Sequence, residues 1–224
     1  MAGKLVSLNL SELAYARIKK MIAEYRFSPG SRINVEELTR VLGASRTPIW
    51  EAIRRLEQEG LVRNIPNRGV FLVELTREDA AELYAVREVL EGMAARLAVD
   101  SIPDRVLEKM ELSIREQEKL IAEENLVGYS RSDFEFHAFV YAACGNTVLK
   151  EMLESLKNKA RPLAMRITPI LPELLEDHRD IVGALRRRDP VLAEAAFRKH
   201  NRKVLGLLLA EPEASKAPTS NNNR

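Results

Sequence analysis

From Ser11 to Glu24, apolar residues return at Leu13, Ala14, Ile18, Met21 and Ile22, the three-to-four spacing of a helix with one buried face. Pro29-Gly30 interrupts it. Asn34 with Glu37 is a helix-start pair, the Asn side chain accepting from a free backbone N–H while the Glu reaches back, and a short helix over Val35 to Leu42 is predicted. Gly43-Ala44 makes a tight turn. The next helix starts with Ser45 as its cap, or with Thr47 as cap and Pro48 first inside, and runs to Glu59, where Gly60 ends it. Two β-like runs follow, Leu61 to Ile65 and Val70 to Val73, separated by the turn-favouring Pro66-Asn67-Arg68-Gly69. Three helices and a hairpin make a winged helix.

Beyond Leu75 every signal is helical. Thr76 with Asp79 starts a helix carrying Leu83, Val86, Leu90, Met93 and Leu97, and Ser101 with Asp104 starts another carrying Leu107, Met110, Ile114 and Ile121. Further helices are predicted over Tyr129 to Ala143, Thr147 to Arg166 with a kink at Pro162, Pro172 to Arg187, and Pro190 to Ala210 capped by Asp189. The predicted fold is mainly α: an N-terminal winged helix-turn-helix (8–75) plus a C-terminal antiparallel six-helix bundle (76–210). The Pro-, Ser- and Asn-rich stretch 211–224 has no apolar periodicity and is expected to be a disordered tail.

Composition agrees with two domains, since 224 residues at 46% hydrophobic content suffice for two modest cores. A single cysteine, Cys144, excludes a disulfide framework and a cysteine zinc site, and fits a reducing cytoplasm. Neither a signal peptide nor an apolar run of the roughly 20 residues that a membrane span needs is present, so no membrane partner is expected. The net charge of +2 is unevenly divided: 12 Lys and Arg stand against 8 Asp and Glu up to Leu75, and 23 against 25 beyond it. The positive excess lies where a nucleic-acid partner would want it.

Two helices joined by a tight turn place the second in the major groove of double-stranded DNA, its first residues at the base edges. Those residues are Ser45, Arg46 and Thr47. Arg46 can donate two hydrogen bonds to one guanine, worth roughly 1–3 kcal/mol of discrimination. Arg68 at the wing tip can enter the minor groove or touch phosphate. The same pattern also describes a plain packed trihelical unit with Arg46 solvated. The stretch Pro29-Gly30-Ser31-Arg32-Ile33, Glu37-Leu38-Thr39, Leu42 through Leu56, Glu59-Gly60-Leu61-Val62 and Asn67-Arg68-Gly69 closely resembles the DNA-binding domain of the GntR family. That resemblance implies DNA contacts from Ser45, Arg46, Thr47 and the wing tip Asn67, Arg68 and Gly69. The family commonly has an arginine where this chain has Trp50, which leaves Arg46 as the main reader and implies a different operator, with Trp50 at the DNA edge or merely packed.

All three histidines lie in the helical half. Asp133 and His137, four apart, project from one helix face, while His178 and His200 sit beside apolar residues on the last two helices. One carboxylate and three imidazoles can therefore converge on a first-row divalent ion. Hydrogen-bonded core histidines are the alternative, and Ser130 with Asp133 also reads as a helix-start pair. Asp133-Phe134-Glu135-Phe136-His137, Gly145-Asn146, Asp177-His178-Arg179-Asp180-Ile181, Ala184-Leu185, Asp189, Ala195-Ala196 and His200 resemble the FCD ligand-binding domain of the FadR subfamily, in its smaller, VanR-like six-helix group. The resemblance implies a metal bound by Asp133, His137, His178 and His200, with zinc first and nickel or another first-row ion next. It further implies a small organic-acid effector met by Arg87, whose place beside Leu83, Leu90 and Ala94 also fits a rim arginine laying its stem over apolar surface. A homodimer on a palindromic operator is expected because half-sites about one helical turn apart need two readers. A metal-sensing repressor and a metal-dependent hydrolytic enzyme are the rivals, the latter without a placed general base.

Overall fold

The computed structural model describes residues 2–166 and 171–210, with side chains described for 10–163 and 172–210. The stretch 211–224, expected to be a tail, lies outside the described residues. The elements run α1 (Ala2–Ala23), β1 (Arg32–Ile33), α2 (Val35–Leu42), α3 (Arg46–Gln58), β2 (Val62–Ile65), β3 (Gly69–Leu72), α4 (Arg77–Ala98), α5 (Asp104–Ala122), α6 (Leu126–Ala143), α7 (Thr147–Ala160), α8 (Leu171–Arg186) and α9 (Pro190–Ala210).

In the first half, α1 packs on α3, and Ile18, Ile22, Ile49, Ile53 and Leu56 close a core with Ile33, Val70 and Leu72 of the sheet. The Asn34 side chain caps α2 by accepting from the N–H groups of Glu36 and Glu37. Gly43 then turns the chain in the left-handed region at φ 62°, its N–H returned to the Thr39 carbonyl. Ser45 occupies the cap position of α3. The wing is a three-stranded antiparallel sheet in the order β1-β3-β2, with Arg32 opposite Phe71 and Ile65 opposite Gly69. Its first strand is only two residues long, too short to alternate, and so escaped the periodicity reading.

The second half holds six α-helices among the described residues. α4 packs against α9, α6 and α7, α5 against α6 and α8, and α8 against α9. The Thr76–Asp79 capping box forms in both directions, and Asp189 Oδ1 accepts from the N–H groups of Val191 and Leu192 to start α9. Gly128 lets α6 come close to α5, since a Cβ there would stand 2.6 Å from Leu120 Cδ2. Beyond Ala160 the chain tightens into a 3₁₀ turn over Arg161–Arg166, at the place where Pro162 foretold a kink.

Four local expectations change. Helix α1 begins at Ala2, not Ser11. Helix α5 begins at Asp104 behind Pro103, while the Ser101 hydroxyl instead donates to the Ala98 and Ala143 carbonyls. Helix α6 begins at Leu126 behind the Asn125 cap, so Ser130 and Asp133 lie inside it and are not a helix-start pair. Most consequentially, three of the five apolar residues expected to face inward on α4 do not: Val86 and Met93 are 46% and 45% exposed and Leu97 is exposed too, as is Val89, while Leu83 and Leu90 pack partly buried against the core. The buried face is Ala80, Tyr84, Arg87, Glu91, Ala94, Ala95 and Ala98. Small residues there admit α9 closely, and the leucine and valine stripe is left facing outward.

Candidate metal and effector centre, and the DNA-reading face

Ser45, Arg46 and Thr47 are all exposed at the start of α3, whose opposite side buries Ile49, Ala52, Ile53 and Leu56. Arg46 is 73% exposed and held by Glu36 of α2 at 2.8 Å, a surface pair weak enough to yield to a base edge. Trp50, one turn on, is partly buried against the winged core, so packing accounts for much of its indole. Arg54, a further turn along the same face, is exposed; the sequence reading passed over it. At the wing tip Asn67 (φ 59°) and Gly69 (φ 103°) turn the backbone, with Asn67 and Arg68 exposed.

Asp133, His137, His178 and His200 come together inside the bundle. One ligand nitrogen from each of the three histidines lies within 4.8 Å of the others, and all three rings are buried. Asp133 Oδ1 stands 3.5 Å from His137 Nε2 and 3.6 Å from His178 Nε2. Two of the imidazoles are oriented from behind. His178 Nδ1 faces Gln117 Oε1 at 2.8 Å, so the ring carries its proton there and turns an Nε2 lone pair inward. Behind His137 stand Glu91 Oε2 and the Tyr141 hydroxyl, each 3.4 Å from Nδ1. Tyr141 already donates to Glu91 Oε1 at 2.7 Å, which leaves the His137 Nδ1–H as donor and Nε2 free. His200 Nδ1 leans toward Asp177 Oδ2 at 3.7 Å.

His137 Nε2 and His178 Nε2 are buried without a hydrogen-bond partner. Native interiors rarely leave such atoms unmatched, and two of them aimed at one carboxylate oxygen fit the donor set of a divalent ion. Charge agrees. Burial, aided by the neighbouring His200, holds His178 well below 6.5, and burial likewise lowers His200 against the pull of Asp177, so both rings are neutral ligands at neutral pH. Burial opposes ionisation of Asp133, yet Lys157 and His137 override it and hold the carboxyl well below 3.8.

Beside the cluster lies a small cavity walled by Tyr84, Arg87, Tyr129, Ser130, Asp133, Phe134, Lys157, Ala160, Arg161, Leu174, His200 and Val204. Arg87 is on this wall as expected, but its Nε and Nη2 both hold Glu91 Oε1, at 3.0 and 2.8 Å. Lys157 Nζ pairs with Asp133 Oδ2 at 2.7 Å. Arg161 lies over the Phe134 ring at 4.9 Å and, among the described residues, pairs with no carboxylate. Gln117, Glu91, Lys157 and Arg161 were missed by the sequence reading. The signal for three of them was a polar residue continuing a buried stripe: Gln117 after Met110 and Ile114, Lys157 after Leu149 and Leu153, and Glu91 beside Ala94 and Ala95.

An exposed helix start over a wing, joined to a bundle with a buried polar centre, is the architecture of a DNA-binding transcription regulator. Residues 10–72 match the family described as bacterial regulatory proteins, gntR family, and residues 82–203 match the FCD domain; the chain belongs to the GntR family of regulators that carry an FCD domain. Such a protein is a regulator and not an enzyme. It is 31% identical to the HTH-type transcriptional regulator YdhC of Bacillus subtilis over 83% of this chain and 85% of that one. It is also 31% identical to a probable D-xylose utilization operon transcriptional repressor of Paenarthrobacter nicotinovorans, over 80% of each. Among solved structures, E. coli McbR/YncC shares the fold with a TM-score of 0.80 at 20% identity, covering 89% of this chain and 97% of the other.

The buried rings fix a pH dependence. His178 and His200 have their pKa values lowered from 6.5 on folding, so below that value the unfolded chain binds protons that the native state refuses. Stability is then present above about 6.5 and lost as pH falls. Asp133 and Glu91, also lowered, act in the same direction only nearer 4. The thermal midpoint of metal-free protein is expected to drop between pH of about 7 and about 5.5, and a level midpoint over that window would contradict neutral buried imidazoles.

Proposed function

We propose that this regulator is a repressor whose helical half holds a divalent ion, zinc first, and a small carboxylate effector beside it. The observation that carries this reading is the convergence of unpartnered His137 Nε2 and His178 Nε2 on Asp133 Oδ1, next to a cavity lined with cations. Asp133, His137, His178 and His200 would hold the ion, which would supply a Lewis-acidic point able to take an effector oxygen. The chain's own part is orientation and charge. Gln117 and Glu91 fix two rings, Lys157 sets the Asp133 carboxylate, and Tyr84, Tyr129, Phe134 and Leu174 exclude water. Because Arg87 is locked to Glu91, its role is to face the cavity and anchor that carboxylate, and Arg161 is the cation left to pair the effector's anion.

The winged part, proposed as 8–75, reads double-stranded operator DNA through Ser45, Arg46, Thr47 and the wing tip Asn67, Arg68 and Gly69, with Trp50 supporting the helix from behind. The effector part is proposed as 76–210. A palindromic operator needs two readers, and the exposed stripe Val86, Val89, Met93 and Leu97 of α4 is a self-complementary face for a homodimer. The site of action is the cytoplasm, where the DNA is. The named repressor among its relatives supports the sign of regulation.

Three measurements test this reading. Arg46→Ala should weaken binding to a duplex selected from a random pool by about 1–3 kcal/mol at fixed salt and relax one base preference, and unchanged binding would refute the reader assignment. Met93→Glu should convert a dimer to a monomer in sedimentation without loss of helix content. Calorimetric zinc titration should show one tight site per chain, weakened about 10–100-fold by Gln117→Ala and abolished by His178→Ala. DNA binding that answers to zinc alone makes the ion the signal; an answer that needs an added carboxylate supports the effector reading. Protein that takes up no zinc, nickel or other divalent ion overturns the site.

A further inference from the structure

Helix α1 ends in a left-handed turn that closes in the usual way for a glycine: the Arg26 N–H reaches the Met21 carbonyl at 3.0 Å and the Tyr25 N–H reaches Ile22 at 3.1 Å. The residue in the left-handed position, at φ 55°, is nevertheless Tyr25. A bulky side chain there is disfavoured, so it is retained for what it touches. What it touches belongs to the other half of the chain. The Tyr25 hydroxyl donates to Ser130 Oγ on α6 at 2.9 Å, and Ser130 lines the cavity one turn before Asp133. Tyr25 is also within electrostatic reach of Arg161 and Asp133, which act on its hydroxyl in opposite senses.

A second contact lands on the same wall. Gly60, just past α3, lies against Lys159 of α7, whose Cε would be 3.4 Å from a Cβ at that glycine. Lys159 sits between Lys157 and Arg161, both of the cavity lining. The turns that follow α1 and α3 therefore each touch α6 or α7 beside the cavity.

We propose that the Tyr25–Ser130 hydrogen bond is the contact through which the winged domain reads the state of the cavity. An anion drawn in by Arg161 accepts from the Ser130 hydroxyl while the Ser130 oxygen goes on accepting from Tyr25, so the two bonds reinforce each other and the winged domain gains hold on α6. The transmission rests on the effector reading above, but the contact itself is tested without any effector.

Operator affinity is measured for Tyr25→Phe, Ser130→Ala and the double variant, on the same selected duplex, with circular dichroism to confirm the fold. Each single variant is expected to shift affinity at least about fivefold in the same direction, the double no further than either, and Ser130→Thr to restore it. Folded variants with unaltered operator affinity, or shifts that simply add, overturn the proposal. Acetate, lactate, citrate and benzoate are then titrated with zinc-loaded protein. An acid that moves the parent's DNA affinity is expected to bind Tyr25→Phe in calorimetry and leave its DNA affinity unmoved. Should none of the four move the parent while the variant cycle couples as expected, the effector reading fails for these acids and the contact stands.

Discussion

An imidazole, carboxylate or guanidinium removed from water must find a compensating partner or change its charge, and the helical half buries all three kinds within a few ångströms. Arg87 and Glu91 neutralise each other at 2.8 Å, with Tyr141 and Asn201 supplying further donors to the carboxylate. Lys157 does the same for Asp133. His178 and His200 answer differently, by remaining uncharged. The packing of α4, α6, α7, α8 and α9 is thereby tied to one polar knot, because these helices supply its members. The two inward nitrogens still unmatched are the feature that this compensation leaves over, and a cation is what would match them.

The same knot lies beside the contacts that join the two halves. Lys157 and Arg161 lie on one short stretch of α7 and the turn after it, Ser130 and Asp133 on one turn of α6, and both stretches support the winged half from outside. Packed interfaces of this kind tend to switch between discrete arrangements rather than deform smoothly.

Local signals in the sequence carried most of the fold. Thr76 with Asp79, Asn34, Gly43 and Asp189 act over a few residues, and each forms the cap or turn that its chemistry specifies. The four proposed ligands were also legible, through a four-residue spacing and a resemblance. Their supports were not, since Gln117 meets His178 across 61 residues and no periodicity encodes that pairing. On α4 hydrophobicity misled outright. Alanines together with Tyr84, Arg87 and Glu91, not Val86, Met93 and Leu97, make its inner face, because that face meets a close neighbour helix and a buried polar centre rather than a plain apolar core.

The chain's one tryptophan, Trp50, sits on α3 and is only partly buried. Indole emission from this protein therefore originates wholly in the winged half, while the cavity, lined by tyrosines and a phenylalanine, is silent under indole-selective excitation. Light thus distinguishes the two halves of the molecule with no label attached, and any change in that emission on loading the distant centre would be a message that has crossed between them.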